Sequence, residues 1–522
     1  MDLLPVLLQA IYASAMLFVS LLTIFLVYFY NKRAKTIGYL RKFPGKHEPI
    51  PFIDFIDVNC YVSQRVAETG LPYRVHFFEE IIKFMASYKE GVCVRYIGAS
   101  PEMFLYRADH VERILTHQAN IAKGYVYAFM EPLMGRGLVM LTGNVWRMHR
   151  KLLTPAFHFR TLDQFAVAMN AHCKIFTGRL LRKECEEDLL PYISALTFDV
   201  TCETIMGTPV QCQTTSSGEK YLKSLHIIAK LFLTRMSRPF LWSDLIFNSS
   251  PEGREQKKLL DYIHSFTYKV IEERTKDLKA NPIPTEEQAD FIQSKHIFLD
   301  TMILQHLQGQ ISLQEMRDEV DTFMFAGHDT TSVAIAFAVY LTGLHPGIQA
   351  KLRDEVDVVF SRVECDITTD HLKGMRYLDA VLKECHRIYP PVPMINRRLI
   401  EPMFIDGKLV PKGMEVTIGI YQLHRDPNVF PDPEKFDPAR FFPENAQGRH
   451  PFAFVPFSAG LRNCIGSRFA LLLEKIAMCW LLRRFEWTSL DPREKMITSP
   501  DLVLRPFHKL RVRFSERRPQ HT

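Results

Sequence analysis

The sequence has ten cysteines but no Cys-x-x-Cys pair, and it has no internal repeat. Without that cysteine spacing, neither a zinc ribbon nor a thioredoxin-type site is indicated, and reduced thiols facing the cytosol fit best. Without a period of about 20 to 50 residues, solenoids and propellers are excluded. A strong excess of one charge is also missing, because 65 Lys and Arg against 58 Asp and Glu give only +7. That mild excess suits an anionic membrane surface or an acidic partner and does not indicate nucleic-acid binding.

The composition is otherwise that of a globular protein. Apolar residues make up 47% of the 522 positions and charged residues 24%. These values exclude a disordered tail protein, a collagen-like chain and a disulfide-framework miniprotein. The length permits one to three domains, and because no low-complexity tract divides the chain, one large domain is predicted.

The amino terminus carries one long apolar segment. No charged residue occurs from Leu3 to Tyr30, and the stretch from Ile11 to Tyr30 would reach about 30 Å as a helix, enough for a hydrocarbon core. A cleaved signal peptide would have a basic start and a shorter apolar region. Basic residues follow the segment, which orients the rest of the chain towards the cytosol. We predict a transmembrane anchor over 1–31, a basic and Pro-rich linker over 32–51, and one domain over 52–522.

The domain is predicted to be mainly α-helical with a minor β component. The 3.6-residue periodicity predicts helices over Leu260–Lys279, Ile311–Leu344, Ile348–Phe360 and Phe469–Phe485. Strand signals predict a hairpin of Val92–Ile97 with Met103–Tyr106, and a strand pair within Phe404–Val416 around Asp406 and Gly407. The apolar segment Pro239–Phe247 indicates either core, which we favour, or a second membrane contact.

A cysteine lies where a loop enters the last of these helices. In the segment from Phe457 to Gly466, the helix dipole and unpaired N–H groups favour a thiolate at Cys464, and a thiolate can ligate iron. Gly460 permits a backbone conformation that other residues avoid, Gly466 lets a flat group approach the main chain, and Arg462 can bind a carboxylate. Each feature suits a haem with its propionates. Cys464 alone would be interpreted as a small buried residue.

The segment Ala326-Gly327-His328-Asp329-Thr330-Thr331 interrupts the apolar pattern of the longest predicted helix. Gly327 weakens a helix by about 1 kcal/mol relative to alanine, and a threonine hydroxyl can bond to a carbonyl one turn earlier. We therefore expect a local widening that receives dioxygen and water. The alternative is that Asp329 and Thr330 merely satisfy each other. His328 is predicted to be a packed or solvated side chain and not a ligand.

Two further pairs have helical spacing. Trp146 and Arg150 lie one turn apart, so the indole N–H and the guanidinium can meet the same anion, or else form part of a solvated basic face. Glu384 and Arg387 lie three residues apart and by themselves indicate an ordinary surface pair.

The loop matches the signature of the cytochrome P-450 family: Phe, two residues, Gly, one residue, Arg, one residue, Cys, one residue, Gly. The five fixed positions are Phe457, Gly460, Arg462, Cys464 and Gly466. The chain resembles this family over nearly everything from residue 44 onward. The resemblance implies the P-450 fold, a haem b cofactor, and Cys464 as the axial ligand of the haem iron.

The resemblance also implies roles for residues outside the loop. Trp146, Arg150 and Arg397 would bind haem propionates. Thr330 and Asp329 would deliver protons to the oxygen side. Glu384, Arg387 and Arg440 would form a structural clamp without a catalytic role.

Three longer segments resemble the microsomal, family 4-like branch of fatty-acid omega-hydroxylases: Trp146–Phe159, Glu319–Phe325 and His424–Pro427. This implies NADPH- and O2-dependent hydroxylation near the methyl end of medium- or long-chain fatty acids, at the endoplasmic reticulum membrane. NADPH-cytochrome P-450 reductase is the implied electron donor, with cytochrome b5 as a further candidate. The alternatives are a monooxygenase of steroids, hormones or foreign compounds, a reductase-independent lipid isomerase or dehydratase, and a haem carrier without turnover. The intact Asp329-Thr330 pair argues against the last two.

One position departs from that branch. Many of its members carry a glutamate, able to esterify the haem, where this chain has Ala326. Alanine has no carboxylate, so the haem is predicted to be held non-covalently.

Overall fold

The computed structural model describes residues 36–47, 53–97, 100–181, 188–216, 218–281, 298–360 and 365–517, with scattered positions between 12 and 34. Most of the predicted anchor, 1–31, and part of the predicted linker, 32–51, lie outside the described residues. Within the described part, no single helix is both long and apolar enough to cross a membrane. One bent pair, Leu313–Leu344 with Pro346–Phe360, passes that test jointly by length and composition, and the first of its helices is core.

Helices make up most of the domain, as predicted. In chain order the α-helices are α1 Ile53–Thr69, α2 Tyr73–Ala86, α3 Ala108–Leu115, α4 Glu131–Met134, α5 Gly143–Leu153, α6 Phe159–Leu181, α7 Leu190–Thr204, α8 Glu219–Ser237, α9 Asp244–Ser249, α10 Pro251–Ala280, α11 Phe298–Leu307, α12 Leu313–Leu344, α13 Pro346–Phe360, α14 Thr369–Lys373, α15 Arg376–Ile388, α16 Ile420–Leu423, α17 Pro443–Ala446 and α18 Ser467–Arg484. Short 3-10 turns occupy Tyr125–Met130, Thr154–Phe157, Pro239–Trp242, Pro438–Phe441, Pro451–Ala453, Gly460–Arg462 and Arg493–Lys495.

The strands are β1 Val92–Ile97, β2 Ser100–Leu105, β3 Met394–Arg398, β4 Met403–Ile405, β5 Lys408–Val410, β6 Glu415–Gly419, β7 Phe485–Ser489, β8 Thr498–Asp501, β9 Val503–Pro506 and β10 Val512–Glu516. The largest sheet has the order β1-β2-β6-β3. Its β2–β6 pair is parallel and its other pairs are antiparallel. The pairs β4–β5, β7–β10 and β8–β9 form two-stranded sheets.

Helix α12 runs through the centre of the domain. It begins at a reciprocal cap, in which the Ser312 hydroxyl accepts from the Glu315 N–H at 3.1 Å and Glu315 accepts from the Ser312 N–H at 2.8 Å. Such a cap satisfies N–H groups that have no partner within the helix. Its second half is buried on every face. A helix that is apolar all round belongs in a core, and α12 packs along α7.

The four predicted helices are confirmed as α10, α12, α13 and α18. Three have ends within two residues of the prediction, whereas α10 begins nine residues earlier, at Pro251. The hairpin is confirmed as β1–β2, and β4–β5 pair around Asp406 and Gly407, which both have positive φ. Segment Pro239–Phe247 is core in part, and its predicted membrane contact stays a prediction. Leu241 and Phe247 are buried, whereas Phe240 is 62% exposed and Leu245 80%.

Candidate functional site

The loop before α18 forms one wall of an internal cavity of about 470 Å³. The N–H of Cys464 donates to the carbonyl oxygen of Phe457 at 2.9 Å, which closes the loop on itself. Gly460 has φ +67°, and a Cβ there would lie 1.9 Å from the carbonyl oxygen of Leu115. No other residue fits that position without moving the backbone. The loop therefore holds the Cys464 side chain at the wall of the cavity, where it is exposed.

The protein alone does not favour a thiolate at Cys464. Desolvation raises the pKa of the Cys464 thiol, although hydrogen bonding to the backbone of Gly466 lowers it. Position at the start of a helix acts in the opposite direction on this pKa. A bound cation with an affinity for sulfur would supply the missing charge. At Gly466 a Cβ would have no neighbour closer than 4.0 Å, which leaves the room for a flat group that the sequence predicts.

A cluster of cations lies beside the cysteine loop. Arg462 donates to the carbonyl oxygens of Ile121 at 3.1 Å and Leu138 at 3.0 Å. Arg397 donates to its neighbour's carbonyl oxygen at 3.0 Å. Lys123, which the sequence analysis missed, lies over the ring of Tyr127 at 4.3 Å. All three cations line the cavity.

None of these cations is ion-paired with a carboxylate in the described part of the chain. Burial lowers the pKa of Arg462 to about 9 and that of Lys123 well below its ordinary value, and repulsion from Arg397 adds to both shifts. Burial also lowers the pKa of Arg397. Buried cations without counter-ions are unfavourable unless an anion binds beside them. The cluster therefore fits a ligand with carboxylates, and a haem carries two propionates.

Trp146 and Arg150, which the sequence predicts to bind a haem propionate, make different contacts in the structure. Trp146 is buried, and the guanidinium of Arg462 stacks on its ring at 4.6 Å. Arg150 donates to the carbonyl oxygen of Asn463 at 2.9 Å and to its side-chain oxygen at 2.7 Å. Both Trp146 and Arg150 line the cavity. Their predicted role as propionate ligands stays a prediction, and Arg150 also supports the loop next to Cys464.

Helix α12 provides the opposing wall. Ala326, Gly327 and Thr330 line the cavity, and the Thr330 hydroxyl donates to the carbonyl oxygen of Ala326 at 2.9 Å. A Cβ at Gly327 would lie 3.0 Å from a methyl group of Thr201. The glycine therefore lets α7 approach α12 closely.

Asp329 does not line the cavity. It is buried and forms an ion pair with Arg505, while its other carboxylate oxygen has no partner among the described residues. The hypothesis that Asp329 and Thr330 merely satisfy each other is therefore wrong. His328 is packed, as predicted: its ring meets Phe198 edge-on at 5.5 Å, and its Nδ1 donates to the carbonyl oxygen of Met324 at 2.8 Å.

The three residues of the predicted clamp, Glu384, Arg387 and Arg440, are brought together in the structure. Arg387 donates to both oxygens of Glu384, at 2.7 and 2.8 Å, and Arg440 lies 3.5 Å from the same carboxylate. Arg387 and Glu384 are fully buried, so these two are not the surface pair that their spacing alone indicated. A second buried pair was missed: His149 donates to Glu319 at 2.7 Å. Its partners come from separate helices, so no local spacing signals it.

Comparison with known proteins agrees with this geometry. The family model "Cytochrome P450" matches residues 69–514. The chain is a cytochrome P450. It is 40% identical to cytochrome P450 4V2 of Mus musculus over 85% of this chain and 86% of that protein. It is 36% identical to cytochrome P450 4c3 of Drosophila melanogaster over 95% and 93% of the two chains.

The fold of this P450 matches solved structures as well. The crystal structure of the cytochrome P450DA heme domain superimposes with a TM-score of 0.71, 23% identity, and coverage of 85% of this chain and 94% of that one. The P450 fold and the family 4-like relationship that the sequence predicts are thereby confirmed. Membership of the family makes this protein a haem-thiolate monooxygenase, and the basic cluster and cysteine loop fit that cofactor.

Proposed function

We propose that this P450 hydroxylates medium- or long-chain fatty acids near the methyl end, with NADPH as the source of electrons. The observation that carries the proposal is the arrangement of the cavity. Cys464 stands at one wall, Thr330 at another, and apolar side chains line most of the remaining surface. The similarity to family 4 cytochromes P450 supports the same substrate class.

The apolar lining binds the substrate chain. It is contributed by α2, β2, α8 and the β8–β9 hairpin, through Phe77, Phe78, Phe104, Phe232, Leu233 and Leu502. Each Å² of apolar surface removed from water stabilises binding by about 25 cal/mol. An extended aliphatic chain can be held this way without a polar contact along its length. Apolar contacts do not distinguish its two directions, so the orientation must be set by the groups at its ends.

A haem bound at Cys464, with Lys123, Arg397 and Arg462 beside its propionates, would supply oxygen activation and electron transfer. The protein's own contribution on the oxygen side is Thr330. Its hydroxyl donates to the carbonyl oxygen of Ala326, so its oxygen remains free to accept a hydrogen bond from a water molecule and to position that water in the cavity. Asp329 does not line the cavity and is paired with Arg505. It can deliver a proton to the cavity only through an intervening group.

We further propose attachment to the endoplasmic reticulum membrane, with the catalytic domain in the cytosol and a reductase as partner. Exposed apolar side chains support the membrane contact, and they include Leu17 and Ile24 in the predicted anchor and Leu245 in α9. Arg147 and Lys151 are exposed on α5, beside the cysteine loop. Such a basic face would accelerate association with an acidic reductase.

The proposal is tested by incubating the purified full-length protein with NADPH-cytochrome P450 reductase, NADPH and a mixture of saturated fatty acids and steroids. We expect mass spectrometry to show fatty acids hydroxylated at or next to the terminal methyl group. Omission of NADPH should abolish every product. Oxidation of the steroids alone would contradict the substrate class, and rearrangement of an oxygenated lipid without NADPH would contradict the reaction type.

A second prediction concerns the attachment of the haem. Because Ala326 lines the cavity and has no carboxylate, extraction with acidified organic solvent should remove the haem completely from the polypeptide. The Ala326→Glu variant places a carboxylate at the same wall and should retain part of its haem after turnover. Ala326→Gln is the matched control, because it has the same size and cannot form an ester. Haem that stays on the parent chain would contradict the prediction.

A further inference from the structure

Arg74 is a cation that lines the cavity but belongs neither to the cysteine loop nor to the basic cluster beside it. Arg74 belongs to the first turn of α2, which packs against β8, and its side chain is 21% exposed. The other cavity cations are Lys123, Arg150, Arg397 and Arg462. Three of these form the basic cluster that fits the haem propionates, and Arg150 is bound to Asn463. Arg74 is therefore the cation that remains for another ligand.

Among the described residues, the hydrogen bonds of the Arg74 guanidinium are made through its Nε. Its Nε lies 2.6 Å from a carboxylate oxygen of Asp501 and donates to the hydroxyl of Ser499 at 2.9 Å. The Ser499 hydroxyl in turn donates to Asp501 at 2.8 Å. Ser499 and Asp501 are buried, so water competes little for the contacts that hold the Arg74 guanidinium. The guanidinium is further packed against the ring of Phe507, at 5.8 Å from its centre.

The two terminal nitrogens of Arg74 have no hydrogen-bond partner among the described residues. A guanidinium presents these N–H groups as a planar fork, and the fork matches the two oxygens of a carboxylate. Because Asp501 is engaged at Nε, a second carboxylate can bind at the free edge without displacing it. Arg74 lines the cavity, and its contacts with Asp501 and Ser499 leave this donor pair available to a ligand.

An acidic side chain lines another part of the cavity wall. Glu102 lines the cavity, and one of its carboxylate oxygens has no partner among the described residues. Burial raises the pKa of Glu102 to about 7, against the hydrogen bonds from Thr417 and Asn396. Near neutral pH Glu102 is partly ionised and repels an anion. An anionic end group is therefore disfavoured beside Glu102.

We propose that the free edge of Arg74 binds the carboxylate of the substrate, with Asp501 and Ser499 as its positioning residues. The inference rests on the proposed function, since it assigns the end of a fatty acid that does not react. With the carboxylate held on α2 and β8, the methyl end of a chain of suitable length is the part left to reach the wall of Cys464. Arg74 is then a specificity-determining residue, and its effect depends on the substrate's charge.

The test compares two ligands that differ only in their end group, dodecanoic acid and dodecan-1-ol. Binding of each to the purified haem-loaded protein is followed by the shift of the haem absorption band, without reductase or turnover. In the Arg74→Gln variant the dissociation constant for the acid is expected to rise about tenfold, the loss of one partly exposed charged contact. The value for the alcohol should stay unchanged. Arg65→Gln is the matched control, because Arg65 lies on α1 with a side chain that is 37% exposed, also pairs with one carboxylate, Glu68, and does not line the cavity.

A second variant guards against misfolding, since Arg74→Gln leaves the buried Asp501 without its cation. The double variant Arg74→Gln with Asp501→Asn removes both charges and should show the same loss for the acid alone. Unchanged acid binding in both variants, or an equal loss for acid and alcohol, would overturn the inference. In either case the proposed function survives if the parent still binds both ligands. If the parent binds neither, the proposed function and the inference fail together.

Discussion

Replacement of Cys464 with serine is expected to lower the monooxygenase rate by about a thousandfold or more, a loss of at least about 4 kcal/mol of transition-state stabilisation. A thiolate donates electron density to the haem iron and so favours cleavage of the O–O bond, and a serine hydroxyl does not. The thiolate-specific absorption band of the carbon-monoxide complex should disappear in the same variant. The measurement is the carbon monoxide difference spectrum, together with NADPH-dependent product formation.

The Cys464→Ser substitution should leave the conformation of the loop unchanged. The loop is closed by the N–H of residue 464 donating to Phe457, and serine preserves that bond. Gly460 and the contacts of Arg462 lie outside the substituted side chain. The matched control is Cys60→Ser, because Cys60 is an exposed thiol on α1. A Cys464→Ser protein with the parent's spectrum and rate would overturn the assignment of the iron ligand.

The cysteine loop could be predicted because its requirements are local. Gly460 is needed where the backbone has positive φ against Leu115, and Cys464 and Arg462 follow at fixed distances along one short loop. Lys123 could not be predicted. Its role arises only when Arg397 and Arg462, from distant parts of the chain, enclose the same space. A lysine in an irregular segment carries no periodic signal of such burial.

The assignment of Asp329 illustrates a different limit. Adjacent residues on an α-helix point about 100° apart, so a shared motif does not place Asp329 and Thr330 on the same side of the helix. Thr330 lines the cavity, and Asp329 turns to Arg505 in the β9 strand. The motif alone gives no direction for either side chain.

Substitution of Arg387 with alanine is expected to lower the free energy of unfolding by about 3 to 5 kcal/mol, because it leaves a buried carboxylate without its counter-ion. Arg387 is fully buried and makes two bonds to Glu384. Its remaining N–H groups reach the carbonyl oxygens of His424 at 3.1 Å, Pro433 at 2.7 Å and Lys435 at 3.2 Å. These bonds connect α15 to the segment that leads to the cysteine loop. The haem content after purification should therefore fall together with stability.

The effect should depend on pH in a direction that identifies its cause. Burial already raises the pKa of Glu384, against the opposing effect of Arg387, and removal of Arg387 would raise it further. A carboxyl group whose pKa is raised in the folded state takes up a proton there first as the pH falls. The deficit of Arg387→Ala relative to the parent should consequently shrink below neutral pH. Denaturant unfolding of both proteins at several pH values measures it.

Two controls separate the clamp from general loss of charge. Arg376 lies in the first turn of the same helix and is exposed, so Arg376→Ala should change stability by no more than about 0.5 kcal/mol. Arg387→Lys retains the charge but cannot reproduce the planar fork that serves Glu384 and three carbonyl oxygens at once, so it should remain clearly destabilised. If Arg387→Lys matched the parent, charge alone would account for the clamp and the hydrogen-bond geometry would not matter. If Arg387→Ala bound haem and unfolded like the parent, the clamp would have no structural role.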